Sequence, residues 1–181
     1  MSNELIEEQR LIEEARRDPA AFGALYDRYF ERIYSYAYHH TGNQAEAEDV
    51  TAQTFKQAFE NFHRFEWRGL PMGAWLYRIA SNIITGQHRR RRPTAPFEEA
   101  IEVPGSSPTP EETFLQGEQY AELLVKVRRL PEAQRLAIIL RFGQSLSYAE
   151  IAEAIDRTEG AVKQLIHRAL VSLRETMKEA S

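Results

Sequence analysis

The chain has 181 residues, 43% of them hydrophobic and 28% charged, which suits one ordinary domain or two small ones around an apolar core. It has no cysteine, so disulfides, thiolate zinc sites and cysteine nucleophiles are excluded. There is no run of about 18 apolar residues and no signal-peptide pattern, and the sequence therefore predicts a soluble, cytoplasmic protein without membrane insertion.

The formal net charge of −4 is distributed unevenly along the chain. Residues 1–93 carry 13 Lys and Arg against 13 Asp and Glu, whereas residues 94–120 carry six Glu and no base. Residues 121–181 carry 10 bases and 8 acids. The acidity is therefore concentrated in the middle, and nucleic-acid binding by either end stays open if the cations there are clustered.

The first half predicts four amphipathic helices and shows no strand pattern. Their expected ranges are about 4–17, 19–40, 44–62 and 72–91. Asp18 is the expected cap of the second helix, and a loop from Arg64 to Pro71 precedes the fourth. The apolar positions expected to be buried in the third and fourth helices are Phe55, Ala58, Phe59, Phe62, Leu76, Ile79, Ala80 and Ile83.

Between residues 93 and 110 the composition changes to five prolines, a Gly-Ser-Ser and glutamates, which is typical of an extended acidic linker. Helical patterns resume over about residues 111–129 and from Leu130-Pro131 to Gly143. The predicted fold is all-α. Two small helical domains, residues 1–92 and 113–181, are joined by a flexible acidic linker over residues 93–112.

The stretch from Leu146 to Arg168 predicts a helix, a tight turn and a second helix. Ser147 with Glu150 forms a capping box for the first helix, and Thr158 can cap the second. The first helix has one apolar stripe, and the second has an expected buried face. The stripe consists of Tyr148, Ile151, Ala152 and Ile155, and the buried face of Val162, Ile166, Ala169 and Leu173. This leaves an outer face on the second helix, formed by Glu159, Lys163, Gln164, His167 and Arg168. A helix–turn–helix with such a polar, partly basic face fits the major groove of DNA, although packing between helices explains the same pattern.

A run of four arginines, Arg89–Arg92, ends the fourth helix. It suits either a solvated cap that complements the helix dipole or a grip on nucleic-acid phosphates, with Asn82 nearby to read a base. In the preceding loop, Phe65 and Trp67 stand beside Arg68 and Gly69, where single-stranded bases could stack. No His-x-x-x-His ligand pair, glycine-rich phosphate loop or Gly-x-Ser-x-Gly elbow occurs, so the sequence predicts no catalytic residue, no metal site, no cofactor and no enzymatic activity.

The order of these features resembles that of the extracytoplasmic-function (ECF) sigma factors, small two-domain initiation factors of bacterial transcription. The resemblance covers residues 11–175 and is carried by short motifs in a fixed order. In the first domain they are Asp18-Pro-Ala-Ala-Phe-Gly-Ala-Leu-Tyr26, Ala47-Glu-Asp-Val50 with Phe55, and Trp75-Leu-Tyr-Arg-Ile-Ala-Ser-Asn82. In the second they are Leu130-Pro131, Leu140-Arg141, Leu146-Ser-Tyr-Ala-Glu-Ile-Ala152 and Glu159-Gly-Ala-Val-Lys163 with His167-Arg168.

The resemblance implies that the first domain is sigma region 2 and the second sigma region 4. Asp49, Gln53 and Phe55 would dock on the clamp helices of the largest polymerase subunit. The region binding the −10 element would consist of Phe65, Trp67, Arg68, Gly69, Asn82, Arg89, Arg90, Arg91 and Arg92. The −35 element would be read by Glu159, Lys163, Gln164, His167 and Arg168, with Arg141 on a phosphate.

The implied partners are core RNA polymerase, including the flap of its second-largest subunit, promoter DNA and an anti-sigma factor. Leu165 and Leu170 stand where the family often has arginine, which implies weaker −35 binding. Two other readings stay open from the sequence: a stand-alone helix–turn–helix repressor or activator, and a helical adaptor that does not bind DNA.

Overall fold

The structure is a computed structural model that describes residues 2–90 and 110–180. These ranges contain helices and connecting turns and no strand, which confirms the predicted all-α class. The predicted linker lies almost entirely outside the described residues. The α-helices are α1 (Asn3–Arg17), α2 (Phe22–Thr41), α3 (Gln44–Glu60), α4 (Met72–Arg90), α5 (Pro110–Arg128), α6 (Glu132–Ile138), α7 (Tyr148–Ile155) and α8 (Glu159–Glu179).

The predicted helix caps are present because short polar side chains bind the free amides of each first turn. The carboxylate of Asp18 accepts a hydrogen bond from the amide of Ala20, at 3.1 Å. Ser147 and Glu150 form the complete capping box at the start of α7, and the hydroxyl of Thr158 accepts from the amide of Ala161 at the start of α8. Local sequence therefore determines where α7 and α8 begin, and with them the turn between the two helices.

The N-terminal helices pack around α2, whose inner face is fully buried over its whole length. Leu25, Ile33 and Tyr36 on this face are at most 2% exposed. Two expectations need correction. Phe59 is 52% exposed although its ring makes a T-shaped contact with Phe22, because it lies at the margin of the core, and Ile79 of α4 is only partly buried. The other predicted core positions of α3 and α4 are buried.

Glu8 of α1 is a fully buried carboxylate that joins three helices of the N-terminal half. It accepts hydrogen bonds from the phenol of Tyr29 in α2 and from the amide of Met72 at the first turn of α4, the latter at 3.1 Å. Arg28 lies 3.9 Å away and compensates the charge. Burial and the adjacent carboxylate raise the pKa of Tyr29, so the phenol stays a donor. The start of α4 is thus fixed by a side chain 64 residues earlier.

Gly73 permits the close approach of α4 to α2. A Cβ atom at this position would lie 2.8 Å from Cε1 of the buried Tyr29 ring, which has no room to move aside. The glycine is therefore required by space and not by an unusual backbone angle.

The C-terminal helices form a second cluster around α8. Its inner face consists of Val162, Ile166, Ala169 and Leu173, all buried as predicted. Leu165 and Leu170 are partly buried against the same core. Between α6 and α7 the chain makes a π-turn over Ile139–Gly143, which carries Arg141.

The two halves pack against each other, a point on which the sequence was silent. Helix α7 lies along α4, and the π-turn lies against α2, so that buried residues of both halves form one continuous core. The phenol of Tyr77 in α4 donates a hydrogen bond to Oε1 of Gln144 at 3.0 Å. Nε2 of Gln144 in turn lies 3.5 Å from Oγ of Ser35 in α2. The described residues therefore adopt a closed arrangement.

Histidines and arginines meet at the second contact between the halves, where the end of α2 faces α5 and α6. Nε of Arg128 donates to the carbonyl of His39 at 3.3 Å, and the phenol of Tyr120 lies 2.9 Å from Nε2 of His39. His40 is buried, and among the described residues neither of its ring nitrogens has a hydrogen-bond partner. Burial lowers the pKa of His40 well below its usual value, and the charges of Arg135, His39 and Arg128 act in the same direction.

Replacing Glu8 should strongly destabilise the N-terminal half. Glu8→Ala leaves the Tyr29 hydroxyl and the Met72 amide without their acceptor, and we expect a loss of about 2–4 kcal/mol in the free energy of unfolding. Urea denaturation followed by circular dichroism measures it. Glu13→Ala, at an exposed glutamate of the same helix, is the control and should change the value by less than about 0.5 kcal/mol. Equal effects from both substitutions would contradict the role of Glu8.

The buried histidine predicts that acidification destabilises the fold. Because the pKa of His40 is lowered in the folded chain, the unfolded chain takes up the proton first as the pH falls through about 6.5. The free energy of unfolding should therefore fall below that pH, by at most about 1.4 kcal/mol per pH unit from this residue. His40→Phe should flatten the dependence in urea titrations from about pH 7.5 to 5, whereas His63→Gln, at an exposed histidine, should not. An unchanged slope in His40→Phe would refute the assignment.

Candidate nucleic-acid interface

The outer face of α8 is polar and fully available. Glu159, Lys163, Gln164, His167 and Arg168 are all exposed, on the side opposite the buried apolar stripe. Because residues three and four apart share a face of a helix, these side chains form one continuous strip. The structure therefore brings together all five residues that the sequence grouped on this helix. The strip carries polar and basic side chains on one face of a helix, and an α-helix fits the major groove.

Arg141 is held beside this strip by Tyr148, a residue that the sequence assigned only to the apolar stripe of α7. The guanidinium carbon of Arg141 lies 4.6 Å from the centroid of the Tyr148 ring, and Nζ of Lys163 lies 5.4 Å from the same centroid. Nη1 of Arg141 also donates to the carbonyl of Leu146 at 2.8 Å. Cation–π contacts thus place two cations from different elements around one ring. The sequence did contain a signal for this contact, since Tyr148 stands between the turn that carries Arg141 and the basic helix α8.

In the loop before α4, the aromatic side chains face the core and the other predicted residues are exposed. Phe65 is buried, stacked on Phe62 with centroids 6.3 Å apart and tilted against Trp75 at 5.0 Å. Trp67 is half-buried against the core, whereas Arg68 and Gly69 are exposed. Gly69 adopts a φ of 77°, in the region that favours glycine. The aromatic residues therefore form the floor of the loop, and Arg68 stands at its surface.

A cleft of about 250 Å³ opens beside this loop. Its walls carry three arginines, Arg64, Arg68 and Arg78, together with the ring of Trp75. A base could stack there while the guanidinium groups contact its phosphates. Arg78 was not among the residues predicted from the sequence, because in the sequence it is one arginine within an apolar helical motif.

Exposed and partly exposed polar side chains also follow helix α4 away from the cleft. We call these residues, Arg78, Asn82, Arg89 and Arg90, the α4 surface. Arg78, Asn82 and Arg89 follow one another at spacings of four and seven residues, so they share one side of the helix. Asn82 is exposed and lies about 15 Å from the start of the helix at 1.5 Å per residue. Arg89 and Arg90 are exposed at the end of α4, and Arg91 and Arg92 lie outside the described residues.

Of the predicted docking residues on α3, two lie on the surface and one lies inside. Asp49 is exposed and accepts hydrogen bonds from Nε2 of Gln53 at 2.7 Å and from Nε2 of Gln87 at 3.1 Å. Phe55 is 5% exposed and packs against Tyr26 and Phe30. Phe55 thus packs beneath α3, and Asp49 and Gln53 lie on its outer side, bonded to each other.

Within residues 2–90 and 110–180, no group of three or more His, Asp and Glu side chains is placed to hold a metal ion. In the same part of the chain, no helix combines the length and the apolar character needed to cross a membrane.

Comparison with known proteins gives matches to both halves. The family model for Sigma-70 region 2 matches residues 25–94, and that for Sigma-70 region 4 matches residues 120–173. The loop, the α4 surface and the exposed part of α3 fall in the first match, and the outer face of α8 falls in the second.

Relatives and solved structures agree with these matches. The ECF sigma factor BldN of Streptomyces coelicolor is 38% identical over 175 residues, which are 93% of this chain but only 65% of BldN. CnrH, solved with the cytosolic domain of CnrY, superimposes with a TM-score of 0.73 at 22% identity, covering 96% of this chain and 99% of that one. The sigma factor RpoE of Bartonella quintana, solved with the anti-sigma factor NepR, gives 0.70 at 24%, covering 87% and 96%. These two structures share the fold.

SigL of Mycobacterium tuberculosis is 30% identical over 169 residues, which cover 91% of this chain and 93% of SigL. With region 2 and region 4 both matched in the expected order, the chain belongs to the ECF RNA polymerase sigma factors, the proteins that direct promoter-specific transcription initiation.

Proposed function

We propose that this chain binds core RNA polymerase, directs it to a two-part promoter and helps to melt the start region, without catalysing a reaction itself. The observation that carries the proposal is the pair of exposed polar surfaces. One lies on α4 and its preceding loop and the other on α8, and each falls within the matching sigma region. Polymerase and promoter DNA would be met in the cytoplasm.

The assignment of roles follows the two surfaces. Residues 1–92 would dock on the clamp helices through Asp49 and Gln53, with Phe55 as their support. The same domain would bind the −10 element through the loop, Asn82 and the arginines at the end of α4. Residues 93–112 would form the tether, and residues 113–181 would read the −35 element. Two modest sites on one tether gain affinity when the polymerase fixes their spacing.

An anti-sigma factor is a further proposed partner. CnrH was solved with the cytosolic domain of CnrY, and the sigma factor RpoE with the anti-sigma factor NepR. Both CnrH and that RpoE share the fold of this chain at about full length.

The deciding experiment mixes the purified chain with core polymerase and sequences the transcripts made from a genomic template library. We expect a stable complex and transcripts that begin at a common promoter sequence. No complex with core polymerase would overturn the proposal. Tight binding of a duplex operator by the chain alone would instead favour a stand-alone repressor or activator.

Substitutions on the two domains should separate DNA reading from polymerase binding. Arg168→Ala should lower initiation from promoters that need a −35 element by about 5- to 10-fold, because it removes a contact in the groove. Its affinity for core polymerase should be unchanged. Asp49→Ala should show the opposite pattern, in which the affinity for core polymerase falls before promoter recognition is affected. Multi-round transcription measures initiation, and fluorescence anisotropy of the labelled chain titrated with core polymerase measures the affinity. Loss of core binding by Arg168→Ala equal to that of Asp49→Ala would contradict the assignment.

A further inference from the structure

A second pocket, of about 410 Å³, opens between the ends of α1 and α3. Its walls include the rings of Phe22, Phe59 and Phe62, and we call it the aromatic pocket. The ring of Phe22 makes T-shaped contacts with the other two, at centroid distances of 5.3 and 5.4 Å. Phe22 and Phe62 are buried, whereas Phe59 is 52% exposed. An exposed phenylalanine ring therefore forms part of the wall of a pocket that is open to solvent.

The polar groups of the aromatic pocket favour an anionic ligand. Arg16 and His63 both line it, and both are exposed. Within the part of the chain that the structure describes, no carboxylate is among the lining residues. An aromatic wall beside a cation is the combination that holds a nucleobase together with its phosphate in proteins that bind single strands.

The aromatic pocket adjoins the cleft beside the loop before α4. His63 lines the pocket, and the next residue, Arg64, lines the cleft. Phe62 belongs to the wall of the pocket and Phe65 to the wall of the cleft, and their rings stack with an angle of 5° between the planes. The two cavities are therefore separated by one pair of stacked rings, so that bases held on either side of this pair could belong to the same strand.

Arg16 connects the two cavities. Its Nη2 donates a hydrogen bond to the carbonyl of Phe65 at 2.6 Å, across 49 residues of sequence. Arg16 thus lines the aromatic pocket while it holds the backbone of a residue that lines the cleft. Because a guanidinium group has several N–H donors, the same side chain can hold the loop and contact a phosphate.

We propose that the aromatic pocket is a second binding site for a base of the unpaired DNA strand, in which the base stacks on Phe59 and Arg16 contacts the adjoining phosphate. All the residues that line it belong to the N-terminal half. The inference rests on the proposed function, since it extends the −10 surface from the cleft to a neighbouring pocket. It adds Phe59, Arg16 and His63 to the residues predicted from the sequence to bind this strand.

The first test measures binding of a fluorescein-labelled oligothymidylate of about 20 nucleotides by anisotropy at low salt, using the full chain without polymerase. Phe59→Leu keeps an apolar side chain but removes the ring, and it should bind at least about 5-fold more weakly because the stacking of one base is lost. Phe59→Tyr keeps the ring and should stay within about 2-fold of the original chain. Phe142→Leu is the control and should also stay within about 2-fold, since it removes a ring that is 62% exposed in the C-terminal half.

Two outcomes of this test would contradict the inference. Equal affinity of Phe59→Leu and the original chain would overturn it, and so would an equal loss in Phe142→Leu, which would show a general effect of exposed rings. If Phe59→Leu leaves oligothymidylate binding unchanged and instead weakens the complex with core polymerase, the pocket binds a protein and not DNA. Thermal denaturation monitors the folding of each variant.

The role of Arg16 is tested by the salt dependence of the same binding. Arg16→Gln should weaken binding by about 3-fold at low salt and lower the slope of log affinity against log salt by about 0.7, because one phosphate contact is lost. If Arg16 only supported the loop, its loss would leave that slope unchanged. Arg17→Gln makes the same charge change at the neighbouring exposed residue and is the control. An unchanged slope in Arg16→Gln, or an equal change in Arg17→Gln, would overturn the inference for Arg16.

Photochemical crosslinking locates the base directly. An oligothymidylate that contains 5-iododeoxyuridine couples on irradiation to aromatic side chains in contact with the base, and tandem mass spectrometry identifies the residue. We expect coupling at Phe59 in the original chain and none at residue 59 in Phe59→Leu. Absence of coupling from the peptide that carries Phe59 in the original chain would overturn the inference.

The two proposals fail separately. If the original chain makes no promoter-specific transcripts with core polymerase, the proposed function is wrong whatever the oligothymidylate shows. If transcripts appear and Phe59→Leu binds the single strand as well as the original chain does, only the second base site is wrong.

Discussion

The packing of α7 on α4 is the contact on which the arrangement of the whole chain depends. Helix α4 contributes one side to the N-terminal core through Leu76 and Ala80, and another side to the C-terminal helices through Tyr77. A single helix thus belongs to both halves and also carries the exposed arginines. Any movement of α7 consequently alters the surroundings of Arg78, because α7 packs on the same helix that carries this arginine.

The two polar surfaces differ in how far the closed arrangement covers them. The outer face of α8 stays exposed, with Lys163 and Arg168 unobstructed, whereas the α4 surface meets acidic side chains at Arg78. In the terms of the proposed function, the surface proposed to read the −35 element is exposed in this arrangement, and the surface proposed to bind the −10 element is partly covered at Arg78.

Local sequence was sufficient for the features that short-range chemistry determines. The all-α class, the capping box at Ser147 and the buried stripe of α8 were predicted correctly, since each depends on residues within a few turns. Glu8 could not be predicted as a buried link, because its partners lie 21 and 64 residues away and its own helix is polar. Periodicity likewise gave α4 an apolar face but not the identity of the helix covering it. Phe59 shows that helical spacing can also predict burial wrongly, since its ring was expected in the core and is exposed.

The close approach at Gly73 has a consequence for how this surface can change over evolutionary time. The Tyr29 ring leaves no space for even a methyl group at residue 73, so α4 can pack this closely on α2 only with glycine at that position. In the terms of the proposed function, DNA preference would change through exposed side chains of α4 such as Asn82 and Arg89, whereas a side chain at Gly73 would displace Tyr29 from the core. A laboratory library aimed at new promoter specificities would spend its diversity best on those positions and hold Gly73 and Tyr29 constant.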